Sequence, residues 1–146
     1  MPMPQEYQRA HIIFDQILTD LCDELHLATR NQTYTLLQSV LLTFRRRLTA
    51  PQVLKFASLL PPVARAIFVK NWDEREYTPK FSSENDLVEE VKDLRRDHNF
   101  ADRHAIKGVT HILRRYMDEA KLDAALAEIS EDAVAYWQYD KASLCA

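Results

Sequence analysis

Apolar residues recur in steps of three and four along most of this chain, and that spacing predicts amphipathic helices from end to end. Between Tyr7 and Leu27, the residues Phe14, Ile17, Leu18, Leu21, Cys22 and Leu25 fall on one helical face, while Asp15, Asp20, Asp23 and Glu24 fall largely off it. A second helix is predicted from about Gln32 to Leu48 on Tyr34, Leu37, Leu41, Phe44 and Leu48. Thr49 is placed to cap a third, with Pro51 in its first turn and Gln52 completing a capping box. Pro62 suits the first position of a fourth helix, whose apolar side is Val63, Ala66, Ile67 and Phe68. After Trp72 the segment from Asp73 to Lys80 loses all periodicity and is the longest predicted loop. Ser82 or Ser83 then caps a helix carrying Leu87, Val88, Val91 and Leu94, and Asn99 caps the next, with Asp102 in its first turn.

Sliding the chain along itself by 69 positions places Thr49 on Asp118, Pro61 on Ser130, Val40 on Val109, Phe44 on Leu113 and Phe68 on Trp137 without a gap. The predicted fold class is therefore all-α: one domain, a helical bundle of about eight helices or helical turns from two pseudo-equivalent repeats. Its parts are an N-terminal helix (about 5–28), repeat one (31–72), a linker loop (73–82), a helix (about 83–98) and repeat two (100–141). The chain's one glycine, Gly108, falls inside a predicted helix opposite Ser39, where a close helix crossing is the expected reason for it. One glycine in 146 residues argues against an all-β fold, because tight hairpin turns draw on glycine.

The run Leu59-Leu60-Pro61-Pro62-Val63, followed by Ala66-Ile67-Phe68, Asn71-Trp72-Asp73 and Phe81 with a Ser-Glu-rich helix start, resembles the bacterial domain of unknown function 2267. The resemblance covers most of the chain and implies a helical domain with two related halves; it carries no activity. The chain departs from the pattern at Asn71, where glycine is more usual, and in Ser130, which stands where the first half has Pro61.

Composition adds limits more than positive signals. The N-terminal residues lack the plan of a signal peptide, and no apolar run reaches the ~20 residues that span a bilayer, so a cytoplasmic protein without membrane contact is expected. Cys22 and Cys145 match no metal-ligand or redox spacing and are expected as free thiols. His104 and His111 share a helical face but lie two turns apart, about 10.5 Å, too far to hold one ion. His98 with Asp97 lies just before that helix. No nucleophile setting and no glycine-rich phosphate loop is present, and acid pairs such as Glu89-Glu90 and Asp118-Glu119 read as solvated faces. No catalytic residue, metal site or cofactor is expected.

Charge distribution changes the picture. The net charge is −3, yet between Leu25 and Trp72 there is no Asp or Glu. That stretch carries seven cations: Arg30, Arg45, Arg46, Arg47, Lys55, Arg65 and Lys70. Residues 73–99 hold nine acids against five bases. A non-enzymatic macromolecular-interaction module is the leading expectation, with Arg45, Arg46, Arg47, Lys55, Arg65, Trp72 and Tyr77 as binding residues for an acidic protein or the acidic half of a second copy. If those arginines are unpaired on the surface, reversing Arg46 and Arg47 to glutamate leaves stability almost unchanged. The competing account is that these cations pair with acids folded across from them, and that Trp72 and Phe81 are lids on the core. Two other functions stay open: a small-molecule pocket or weak enzyme between the halves, and nucleic-acid binding through the basic repeat, which the acidic overall balance disfavours.

Overall fold

Local signals place most of the helix boundaries. The computed structural model describes residues 1–94 and 104–138. Nine α-helices form among the described residues: α1 (Gln5–Gln8), α2 (Ala10–Leu25), α3 (Arg30–Arg45), α4 (Ala50–Ala57), α5 (Pro62–Val69), α6 (Glu84–Asp93), α7 (Ala105–Arg114), α8 (Glu119–Ile129) and α9 (Glu131–Trp137). A 3-10 turn at Glu74–Glu76 interrupts the segment between α5 and α6. Helices take up 72% of the described residues, and none of these forms a strand.

The caps act as the chemistry requires. Gln52 Oε1 accepts from the Thr49 backbone N–H at 2.9 Å, and Pro62 occupies the first turn of α5. Ser83, rather than Ser82, accepts from Asp86 N at 3.2 Å; Asp118 and Ser130 accept from Lys121 N and Ala133 N. Thr29 caps α3 through Gln32 N, starting that helix two residues before the predicted position. The predicted single N-terminal helix is two pieces, broken at Arg9 (φ −109°, ψ 16°), and it stops at Leu25 because His26 turns left-handed at φ 53°. Asn71 is also left-handed, at φ 55°. Asparagine tolerates that conformation best after glycine, which accounts for the residue standing there. The expected roles of Asn99, Asp102, His98 with Asp97, and Cys145 fall outside the described residues.

Helix α3 runs through the middle of the molecule and packs against α2, α5, α6 and α7. Phe44 near its C-terminal end is fully buried, with the rings of Phe56, Tyr136 and Trp137 at 4.9, 5.1 and 5.7 Å. The Tyr136 hydroxyl, wholly buried, donates to Val40 O at 2.8 Å and so ties α9 to α3. Trp72 and Phe81 are partly buried against this core as lids. On α5 the core face is Ala64, Ile67 and Phe68, and Ala66 points outward, contrary to the predicted apolar side.

Element bounds coincide at the predicted offset: α4 and α8 begin at 50 and 119, α5 and α9 at 62 and 131, and α3 and α7 end at 45 and 114. Val40, Phe44, Val109 and Leu113 are all buried. A side-chain contact repeats too. Arg45 donates to Phe68 O at 3.0 Å, and Arg114, 69 positions on, donates to Trp137 O at 2.7 Å, so α5 and α9 each have a carbonyl near their C-terminal end held by an arginine.

Gly108 serves packing. A Cβ built on it would lie 2.6 Å from Leu25 Cδ2, because Leu25 of α2 sits directly over α7 at that point. Gly108→Ala should gain about 1 kcal/mol in helix propensity and lose about 1 to 3 kcal/mol in overpacking, for a net loss near 1 kcal/mol in urea unfolding. In a Leu25→Ala background the clash is gone and the same substitution should stabilise; a loss of equal size in both backgrounds would show that Leu25 is not the obstacle.

Candidate functional site

The seven residues expected to bind a partner divide into three places. Arg45, Arg46 and Arg47 come together at the C-terminal end of α3, under the segment joining α5 to α6. This segment, residues 70–83, is a strap: positions 74–80 are all exposed, Trp72 and Phe81 are its half-buried ends, and Tyr77 stands out at 46% exposure. Lys55 and Arg65 lie elsewhere, on α4 and α5.

The three arginines are engaged. Arg45 is 5% exposed; its Nη1 donates to Phe68 O and Lys70 O (3.0 and 3.1 Å), and its Nη2 reaches Glu76 at 3.3 Å. Burial pulls its guanidinium below the ordinary arginine value, with Glu76 opposing. Arg47 grips Glu90 of α6 with two bonds of 2.6 and 2.5 Å and also donates to Thr43 O and, at 3.4 Å, to Lys80 O. Arg46, a third exposed, reaches Glu90 at 3.0 Å and Glu76 at 3.9 Å, and its carbonyl accepts from Thr78 N. Glu90 is therefore no solvated acid, as its place in an acid pair had suggested.

Outside this corner the pattern is the same. Lys55 pairs with Glu128 of α8, Arg30 with Asp15, and Arg65 with Glu6 at 3.7 Å while also donating to Ala57 O and Leu60 O at the end of α4. Six of the seven cations of the acid-free stretch thus have a carboxylate partner, supplied by α1, α2, the strap, α6 and α8. These contacts fit the account in which the cations pair with acids folded across from them. The carboxylates of Glu76 and Glu90 are the functional partners that sequence reasoning missed. The signal was the excess of acids in 73–99 beside an acid-free stretch.

A second group of titratable residues lies between α2 and α7. His111 Nε2 is 3.1 Å from Arg115 and 3.7 Å from Glu24, and the Tyr116 hydroxyl donates to Asp20 at 2.5 Å. Burial, with Asp20 adding to it, pushes the Tyr116 hydroxyl up to about 12. No metal-holding group of three or more His, Cys, Asp or Glu occurs among the described residues.

These shifts have a pH consequence. Burial, opposed by Glu24, lowers His111 below 6.5, so between its folded value and 6.5 the unfolded chain holds the extra proton and stability falls as pH falls. For Glu90, burial would raise the carboxyl, but the bonds and charges of Arg47 and Arg46 outweigh it and hold it below 4.5. Its contribution is complete above 4.5 and lost as pH drops through the folded value. Urea midpoints should therefore decline in two stages on acidification, and His111→Gln should remove only the first. A flat profile down to about pH 5 in the native chain would contradict the His111 assignment.

Between the strap and the second half, Phe81, Leu87, Ile106 and Tyr136 floor a cleft rimmed by Ser82, Glu84, Lys107 and Asp132. Its volume is about 170 Å³, against the roughly 300–1,000 Å³ of small-molecule sites, so it has the size of one side chain rather than a metabolite. A shallow hollow lined by Asn71, Trp72, Asp73 and Glu74 opens beside the strap's first turn.

The fold and this corner define an all-helical domain whose strap is fastened by arginines. The chain belongs to the family of uncharacterized conserved proteins DUF2267, whose model matches residues 14–136. No curated protein matches it in sequence. Among the described residues no helix is long and apolar enough to cross a membrane.

Proposed function

We propose that this chain is a non-enzymatic, cytoplasmic bacterial interaction module that docks a partner macromolecule on its strap. One observation carries the reading: residues 74–80 are exposed along their whole length and are fastened by charged groups rather than by burial. Trp72, Tyr77 and Arg46 on and beside this surface are the residue types that dominate interface energetics. Arg45 and Arg47 act beneath it as supports, and Lys55 and Arg65 belong to other contacts. The duplication belongs to the same reading: the two halves are copies of one unit, and the strap follows the first. A superposition placing Val40 on Val109 and Phe44 on Leu113 checks it.

The paired cations weigh against nucleic-acid binding, which needs phosphate-facing charge. The cleft's volume weighs against a metabolite site.

Photo-cross-linking tests the docking surface. A benzophenone side chain at position 77 should give a discrete adduct in native extract, and the same group at the exposed Leu54 should not. An adduct of twice the chain mass identifies self-association, and any other mass a second protein. Equal labelling at both positions, or none at 77, refutes the strap as the surface.

A further inference from the structure

We propose that Arg45 and Arg46 form a carboxylate seat in which Glu76 is a tethered stand-in, and that an acidic segment of a partner protein displaces it. This rests on the strap being the docking surface.

Arg45 is held in place without Glu76. Two backbone carbonyls, Phe68 O and Lys70 O, fix its Nη1, and its side chain is 5% exposed. The guanidinium stays where it is if the strap moves. Its Nε is buried and has no hydrogen-bond partner among the described residues, a donor left over at the seat.

Glu76, by contrast, is loosely seated. It lies 3.3 Å from Arg45 and 3.9 Å from Arg46 and is 40% exposed, whereas Glu90 meets Arg47 at 2.5 and 2.6 Å. Charge-assisted bonds of this kind settle near 2.7–2.9 Å, so Glu76 leaves binding capacity unused. Among the described residues the three guanidiniums of Arg45, Arg46 and Arg47 share the two carboxylates of Glu76 and Glu90. Glu76 rides on the exposed part of the strap, so it can leave without unpacking a core side chain; the restraints on that part include Thr78 N on Arg46 O, Arg47 Nε on Lys80 O and the turn bond from Glu76 N to Asp73 O. An acidic chain fits better than a free oxyanion because the exposed Tyr77 ring lies alongside and only a chain can use it.

An internal competitor lowers apparent affinity by the fraction of time it leaves the seat empty. Hexaglutamate is the probe, titrated into the full chain and read by calorimetry. Glu76→Gln should bind it about tenfold tighter than the native chain, and adding Arg46→Ala should erase that gain. Equal affinity for the native chain and Glu76→Gln overturns the stand-in role, as does a gain that survives Arg46→Ala. Inorganic phosphate bound as tightly as the peptide overturns the acidic chain as ligand. If Glu76→Gln fails to fold by circular dichroism, Arg46→Ala alone decides: it should weaken peptide binding to the native chain several-fold, and no change overturns the seat. A cross-link retained at position 77 alongside any of these negative results leaves the docking surface standing and removes the seat alone.

Discussion

Phe44→Ala is expected to destabilise the protein by about 3 to 5 kcal/mol, the largest effect expected of any single substitution here. The side chain is fully buried, and its ring touches Phe56, Tyr136 and Trp137, which come from α4 and α9. Phe81 adds the strap's end at 6.2 Å. Deleting the ring removes apolar burial and the edge and stacked ring contacts together, and leaves a cavity that rings anchored on α4, α9 and the strap cannot all close at once. Urea unfolding followed by tryptophan fluorescence reads the loss, since Trp137 lies 5.7 Å from the deleted ring. The exposed Leu54→Ala should stay within about 0.5 kcal/mol. A Phe44→Ala loss as small as that would mean the ring does not centre the core.

Phe44 is legible in the amino-acid sequence because helical spacing is local, and so are the cap at Thr49 and the proline start at Pro62. What spacing cannot show is where a helix yields to a neighbour. The break at Arg9 and the left-handed stop at His26 carry no glycine or proline, and on α5 Ala64 and Ala66 are indistinguishable by composition although one is buried and the other faces out. The charge corner is half legible. The acid-free stretch marks Arg45, Arg46 and Arg47 as unusual, but their partners stand 30 to 44 positions away, at Glu76 and Glu90. No periodic rule links residues at that range. Which acid meets which arginine depends on how α6 lies against α3, and that is set by Leu87, Val88 and Val91 packing into the core.

That geometry reverses what unpaired surface arginines would do under charge reversal. Arg46 and Arg47, changed together to glutamate, would leave stability untouched if both stood free in water; in the structure Arg47 is 4% exposed and holds Glu90 through two bonds. Arg47→Ala alone should cost about 3 kcal/mol, because it takes two short bonds from the Glu90 carboxylate, which keeps only Arg46 at 3.0 Å, and leaves Thr43 O and Lys80 O without their side-chain donor. Arg46→Ala should cost under about 1 kcal/mol, since its side chain is a third exposed and Glu90 keeps its stronger partner. Replacing both members of the main pair by apolar residues, Arg47→Met with Glu90→Leu, should recover most of the loss, because no charge is then left buried alone. Denaturant midpoints of these variants separate the cases. Equal small losses for Arg46→Ala and Arg47→Ala would place both arginines back on the surface. A double variant no better than Arg47→Ala would mean that Arg47 acts through its bonds to Thr43 O and Lys80 O, and that the ion pair with Glu90 contributes little.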